Sequence, residues 1–176
     1  MNAPGPVVVA QLSVPVESGM FNVTDPTLGD LEATEEGLTE ATESSRFVAV
    51  VRDVLTVVTP AEDSVGTPVT IQVWDRLPDP HDLAADEADE AAADHEVELD
   101  IDVASGRLEV WLVSGSAAEV DAVPPGAYRV RVSGRGFTPF DEFDGVNRES
   151  YRLVLWPRTE PEPPVVTRRW PGWEQY

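Results

Sequence analysis

Lysine and cysteine are both absent from this chain of 176 residues, and histidine occurs only at His81 and His95. Without cysteine the chain has no disulfide, no thiolate nucleophile and no cysteine-type zinc site. A chain of this length buries roughly 70% of its unfolded surface, so a stable core needs no covalent link. Because disulfide-free chains are typical of the cytosol, the sequence predicts a cytoplasmic protein.

Long apolar runs are also absent. No stretch approaches the ~20 apolar residues that a membrane-spanning helix requires. Residues 1–6 lack the basic residues and the apolar segment of a signal peptide. We therefore expect a chain that is neither secreted nor inserted into a membrane.

Basic residues are scarce, and the shortage lies in the first part of the chain. There are 33 acidic residues against 12 arginines, which gives a net charge of −21. Residues 1–103 contain 23 carboxylates and three arginines, whereas residues 104–176 contain 10 and nine. Such a field repels nucleic acid and anionic membranes and attracts basic partners. General adaptation to a salt-rich host would also produce acidity, although it would spread the charge evenly.

Alternating apolar and polar residues predict a β protein. The clearest strand is 96–103, which a short glycine-containing link joins to 107–113, and this link predicts a hairpin. The other predicted strands are 7–14 and 19–24 around a turn at Pro15, then 47–58, 68–75, 128–132 and 151–156. About eight strands with proline- and glycine-rich turns predict an all-β, antiparallel sandwich or jelly roll, in a single domain over residues 1–157.

Two acidic segments, 29–45 and 79–96, interrupt this pattern as loops or short helices. In the second, carboxylates recur every fourth residue, which opposes a helix by about a few tenths of a kcal/mol for each pair. It is predicted to be either a mobile loop or a helix that a basic partner stabilises. The alternative is that both segments serve only solubility. The residues predicted to bind a basic partner are Glu35, Glu36, Glu40, Glu43, Asp82, Asp86, Glu87, Asp89, Glu90 and Asp94.

Aromatic residues concentrate toward the C-terminal end. Three phenylalanines recur every third residue in a turn-rich connection, and the stretch 158–176 forms a predicted extended arm because its four prolines interrupt regular structure. Aromatic side chains are enriched at interface hot spots, so six are predicted to contact a partner. They are Phe137, Phe140, Phe143, Trp170, Trp173 and Tyr176. Alternatively, the phenylalanines cap the core, and the arm folds back on its own sandwich or joins a second copy in a homo-oligomer.

Catalytic motifs are missing from the sequence. It has no Gly-x-Ser-x-Gly elbow and no glycine-rich phosphate loop. The two histidines and the carboxylates beside them fit no compact metal-ligand spacing. We therefore expect no catalytic residues, no metal and no cofactor. A further alternative is an enzyme that acts on sugars or cationic substrates, which would require a carboxylate with a raised pKa in a concave pocket.

The second half carries a resemblance to a known family. Residues 123–132 (VPPGAYRVRV) place a proline–glycine turn before a strand with a tyrosine, and residues 149–157 (ESYRLVLWP) form a later tyrosine-led strand. This arrangement resembles the C-terminal hairpin of bacterial competence protein J-like β-sandwiches, the inhibitors of the DNA-entry nuclease. Residues 36–38, followed by the strand 47–58, are similar to an earlier region of that family. The resemblance implies a small acidic inhibitor of a nuclease, with no catalytic residues to transfer.

Together these features predict a non-enzymatic acidic protein that binds and neutralises a basic partner. The partner would be a nuclease or another toxin, and the chain would be its inhibitor or immunity-type protein. The charge predicts no direct binding of nucleic acid. The alternative is a structural or adaptor subunit that docks on a larger assembly through the tryptophan-rich arm.

Overall fold

The computed structural model describes residues 5–28, 30–79, 93–139, 142 and 146–175. Within these ranges the chain forms eleven β-strands, one α-helix and a 3₁₀ helix at Pro171–Gln175. The other elements, in chain order, are β1 (Val8–Val16), β2 (Met20–Thr24), α1 (Leu31–Glu43), β3 (Val48–Val51), β4 (Val54–Val58), β5 (Ser64–Val73), β6 (His95–Val103), β7 (Leu108–Leu112), β8 (Gly115–Val120), β9 (Gly126–Arg135), β10 (Ser150–Pro157) and β11 (Val165–Arg168).

The strands form two sheets that enclose one main core. Sheet A has the order β1-β5-β10-β9-β6-β11, and sheet B has the order β3-β4-β2-β7-β8. Neighbouring strands are antiparallel, except that β5 and β10 run parallel. The predicted all-β sandwich is confirmed. In the described part, no helix is long and apolar enough to cross a membrane.

Alternation along the strands places apolar side chains in this core. In β6, every second residue is buried, from Val97 to Val103, while the intervening carboxylates lie on the outer face of sheet A. Phe21 of β2 meets Tyr151 of β10 edge-on, with ring centroids 5.2 Å apart, and so joins the two sheets at the centre. The pattern that predicted these strands is therefore the pattern that fills the core.

Two strand predictions need correction near turns. Residues 47–58, predicted as one strand, form the hairpin β3–β4, because Arg52 and Asp53 both adopt left-handed backbone angles (φ 47° and 60°). That geometry is required at both central positions of a type I′ turn. The predicted turn at Pro15 is also wrong, since β1 runs on to Val16. As an edge strand with a register irregularity at this point, β1 tolerates a proline.

The predicted hairpin between β6 and β7 is wrong as well. β6 pairs with β9 and β11 in sheet A, whereas β7 pairs with β2 and β8 in sheet B. The short link between them therefore crosses the core from one sheet to the other. Its backbone N–H groups at Ala104 and Ser105 donate to the buried Asp25 carboxylate, at 2.7 and 2.6 Å. Burial opposes ionisation of Asp25, but these bonds and those from Thr27 outweigh it and hold its pKa well below the usual range.

The predicted C-terminal arm joins sheet A. Its strand β11 pairs with β6 at the sheet edge, and the 3₁₀ helix Pro171–Gln175 follows. Neither β8 nor β11 was expected, because β8 buries only one of its six side chains and β11 none of its four. These two strands and the split of 47–58 account for the difference between about eight predicted strands and the observed set. The domain boundary at residue 157 stays a prediction.

Candidate functional site

The first acidic segment forms α1, a helix held tightly against sheet B. Asp30 caps the helix by accepting a 2.6 Å hydrogen bond from the Ala33 N–H. Gly37 allows the helix to approach β4 closely, because a Cβ there would collide with the Thr56 hydroxyl. The face of α1 toward the strands carries Ala33, Thr34, Gly37 and Ala41, all buried.

The opposite side of α1, which we call the acidic face, carries the four predicted residues Glu35, Glu36, Glu40 and Glu43, all exposed. Arg52 lies 3.3 Å from Glu36 and Arg46 pairs with Glu40. Neither Glu35 nor Glu43 has an ion-pair partner among the residues described. Exposed ion pairs contribute about 0–1 kcal/mol, so all four carboxylates remain accessible to an external cation.

Part of the remaining acidity is neutralised within the molecule, on the outer face of sheet A. The carboxylates of β6 stand beside arginines contributed by β9 and by the residue after β10. Arg129, whose side chain is 4% exposed, also donates to the carbonyls of Glu162 and Pro163 and so holds the arm. The closest pairs, each at 2.8 Å, are Arg131–Glu98, Arg129–Asp100 and Arg158–Asp102. Some of the excess carboxylates of the first half of the chain are thus neutralised by arginines of the second half.

The tryptophans of the arm lie inside the chain's own structure. Trp170 and Trp173 are 7% and 4% exposed, and Trp173 stacks on Phe47 with centroids 3.8 Å apart. Phe137 meets Trp170 edge-on at 5.2 Å and is only partly buried. The structure thus corresponds to the alternative in which the arm folds back on its own sandwich. Both rings are almost fully covered by the chain itself, and their role in contacting a partner stays a prediction.

His95 belongs to the same aromatic cluster. The Trp170 N–H donates to Nδ1 at 3.3 Å, which assigns the ring proton to Nε2, 2.7 Å from the Arg46 carbonyl oxygen. Burial lowers the pKa of His95, the bond to Arg46 opposes this, and the charge of Arg169 lowers the pKa further. The histidine is therefore a neutral structural group. The described ranges contain no group of three or more residues suited to holding a metal ion.

Several predicted site residues lie outside the described residues. They are Asp82, Asp86, Glu87, Asp89, Glu90, Phe140, Phe143 and Tyr176. Asp94, near the end of the second acidic segment, is described, and its carboxylate accepts a 3.1 Å bond from the Phe137 N–H. Asp94 therefore helps to hold the β9–β10 connection, whatever else it binds.

The structure also reveals a carboxylate that sequence reasoning missed. Glu149 is 5% exposed and lines a cavity of about 140 Å³ between the β4–β5 and β9–β10 connections. It accepts hydrogen bonds from the Ala61 N–H at 2.7 Å and the Tyr151 hydroxyl at 2.9 Å. Burial outweighs these bonds and raises its pKa to about 7, so the cavity contains the kind of carboxylate that an enzyme would require. Its hydrogen-bond partners among the described residues are the Ala61 N–H and the Tyr151 hydroxyl, and neither is a second carboxylate that would complete an acid–base pair. The sequence did indicate its burial, because Glu149 lies two and four residues before the inward-facing Tyr151 and Leu153, and such residues share one face of an extended chain.

Two solved structures have a similar architecture. The chain shares the fold of ComJ. The crystal structure of ComJ, an inhibitor of the DNA-degrading activity of NucA from Bacillus subtilis, superposes with a TM-score of 0.53 over 89% of this chain and 100% of ComJ. The product of crocagin biosynthetic gene J superposes with a TM-score of 0.54 over 86% of this chain and 98% of its own.

The similarity to ComJ lies in the fold and not in the residues. Sequence identity is 11% with ComJ and 17% with the crocagin protein. No protein-family model and no curated protein matches the chain. The resemblance seen in the C-terminal hairpin is confirmed, and in three dimensions it extends over most of the chain. At this identity no ComJ binding residue can be assigned to a position here.

Proposed function

We propose that the chain is a non-enzymatic inhibitor that binds and neutralises a basic protein, a nuclease or another toxin, through the acidic face of α1. The observation that carries this proposal is the exposed carboxylate row on a helix that packing holds in place, in which Glu35 and Glu43 form no ion pair with any residue that the structure describes. The fold shared with ComJ, itself an inhibitor of a DNA-degrading activity, supports it. An immunity-type protein would bind its toxin through the same acidic face.

The mechanism is electrostatic steering followed by steric occlusion. Carboxylates about 5–6 Å apart along a helix face attract lysines and arginines that would otherwise hold a phosphate backbone. Steering of this kind acts mainly on the association rate. We also propose that the protein is cytoplasmic and binds neither nucleic acid nor membrane directly, because its charge repels both.

The adaptor alternative has less support. It needs Trp170 and Trp173 to be free for a neighbouring protein, yet both are packed within the chain. An arm that docks elsewhere would first have to leave sheet A, to which β11 and the Arg129 hydrogen bonds attach it. A homo-oligomer formed through the arm meets the same obstacle.

The experiment compares two double variants that change the net charge equally. Glu35→Gln/Glu43→Gln alters the acidic face on sheet B, and Glu160→Gln/Glu162→Gln alters exposed residues beyond the outer face of sheet A. Proteins captured from host lysate at low salt are purified, and their association rates with each variant are measured. We expect the acidic-face variant to associate several-fold more slowly, while the control differs from the native chain by less than about twofold.

The salt dependence of the association rate is a second measurement on the same purified partner. Between about 50 and about 500 mM salt, the association rate with the native chain should fall at least tenfold. If the captured protein degrades DNA or RNA, adding the native chain should abolish that activity. Equal rates for the two variants, or a rate that salt leaves unchanged, would contradict the proposal.

A further inference from the structure

One end of the sandwich carries a cavity with an adjoining groove. The β4–β5 connection supplies Pro60 and Ala61 to the cavity wall, and the β9–β10 connection supplies Val146 and Glu149. An open groove of about 790 Å³ shares Asp63 and Val146 with the cavity and continues past the start of β5. The cavity therefore opens toward a surface large enough to receive a segment of another protein.

Glu149 is an unusual group to find in such a wall. It is a buried carboxylate, and no arginine or histidine pairs with it among the described residues. Each of its oxygens accepts one hydrogen bond, so acceptor capacity remains on both. A buried carboxylate without a cationic partner is costly to ionise. A cation in the cavity would offset part of that cost.

The rest of the lining fits an aliphatic chain. Pro60, Ala61 and Val146 are apolar, and Val146 is 51% exposed at the mouth. Val65, beside the groove, is 99% exposed. The acidic side chains Glu62 and Asp63 also line the cavity, together with one basic residue, Arg148, so carboxylates outnumber arginines around it.

We infer that this cavity receives a lysine side chain of the basic partner, with the ammonium on the Glu149 carboxylate and the methylene stem against Pro60, Ala61 and Val146. This inference rests on the proposed function. Arginine fits less well. Its planar guanidinium is wider than the compact ammonium of lysine and pairs best with both carboxylate oxygens at once, and on each oxygen of Glu149 one of the two acceptor positions is already taken.

Occupancy by a cation must be linked to ionisation of Glu149. The charged and titratable groups around the carboxylate are Glu62, Asp63, Arg148 and Tyr151. A bound ammonium favours the ionised form, so it should lower the pKa of Glu149 from about 7. By reciprocity, the ammonium should bind more tightly above that pH than below it.

The first test uses n-butylammonium as the probe, because it has the stem and head group of lysine and stays charged throughout the range. Carbon-13 NMR of the Glu149 carboxyl should show a saturable shift, with binding at least about tenfold tighter at about pH 8.5 than at about pH 5.5. Neutral n-butanol and sodium chloride at equal ionic strength serve as controls. Probe binding that is absent, or equal at both pH values, would overturn the inference.

Two variants test whether butylammonium binds at Glu149. Glu149→Gln keeps the shape and should weaken binding at least about tenfold. If that variant fails to fold, Val146→Lys at the exposed mouth supplies a competing ammonium and should weaken probe binding while lowering the pKa of Glu149. Normal probe binding by either folded variant would contradict the assignment.

A further comparison separates this inference from the proposed function. The Glu35→Gln/Glu43→Gln variant should bind butylammonium normally. If the purified partner depends on the acidic face while the probe never reaches Glu149, the inhibitor proposal stands and the lysine site falls. If the probe binds at Glu149 and no basic protein associates, the inhibitor proposal falls, and with it the lysine as the occupant.

Discussion

At the scale of single residues, Glu149 gives the molecule an uncommon pH response. Its pKa is about 7 in the folded state against an ordinary value of 4.5, so between these pH values the folded chain binds more protons than the unfolded one. Stability from this group is therefore present at low pH and is lost as the pH rises toward 7. Most carboxylates, whose pKa values are lowered on folding, act in the opposite direction.

We expect Glu149→Gln to remove this response. The difference in unfolding free energy between the variant and the native chain should move in the variant's favour by about 3 kcal/mol between about pH 4 and about pH 8.5. Urea denaturation at both pH values measures it, and taking the difference cancels the other titrating groups. A difference that stays constant with pH would mean that Glu149 titrates normally.

At the scale of secondary-structure elements, the arm is part of the fold and not an appendage. The stacked pair Trp173–Phe47 joins the 3₁₀ helix to the residue just before β3, and β11 lies at the edge of sheet A. Truncation after Pro157 would remove a strand and expose Phe47. Point variants therefore test the arm more cleanly than a deletion does.

We predict that Trp173→Ala lowers the unfolding free energy by about 3 kcal/mol or more, because a large buried ring leaves a cavity. The neighbouring change Glu174→Ala, at an exposed position, should cost no more than about 0.5 kcal/mol. Equilibrium denaturation of both variants provides the comparison. Similar stabilities for the two would show that the arm does not pack on the sandwich in solution.

Elements with regular alternation could be predicted from the sequence, and their pairing could not. The strand β6 follows directly from its period-2 burial, whereas β9 and β10 were predicted from their apolar and polar pattern although the structure buries residues on both of their faces. The turn at Arg52–Asp53 was hidden because no glycine or asparagine marks its left-handed residues. The link at Ala104–Ser105 was mistaken for a hairpin, since local sequence does not say whether the next strand joins the same sheet.

The candidate site was predictable only where it depends on charge. The carboxylates of α1 were visible as an acidic run, and the structure places them on an exposed face. The ion pairs of Glu36 and Glu40 could not be predicted, because Arg52 and Arg46 come close to them only when α1 packs against β3 and β4. Glu149 was missed because its burial depends on Ala61, which lies 88 residues away in the chain.

At the scale of the whole molecule, the net charge of −21 opposes compaction. The arginine–carboxylate pairs on sheet A offset only part of the repulsion. We therefore predict that raising sodium chloride from about 10 to about 300 mM increases the melting temperature by a few degrees, since the Debye length shrinks across this range. Differential scanning calorimetry would check this. A melting temperature that falls with salt would indicate that attractive pairs dominate.

The parallel pairing of β5 with β10 governs the order of events during translation. Residues 69–73 pair with β1 on one side, but their second partner strand is formed only by residues 151–155. Phe47 likewise stacks on Trp173, which is synthesised much later. A growing chain cannot join β1 and β5 to the rest of sheet A until residue 155 has been synthesised. It cannot add β11 until residue 168, nor form the aromatic cluster until residue 173. Meanwhile its β-branched strands are exposed on the ribosome. We expect repulsion among the 23 carboxylates of residues 1–103 to reduce aggregation between unfinished chains.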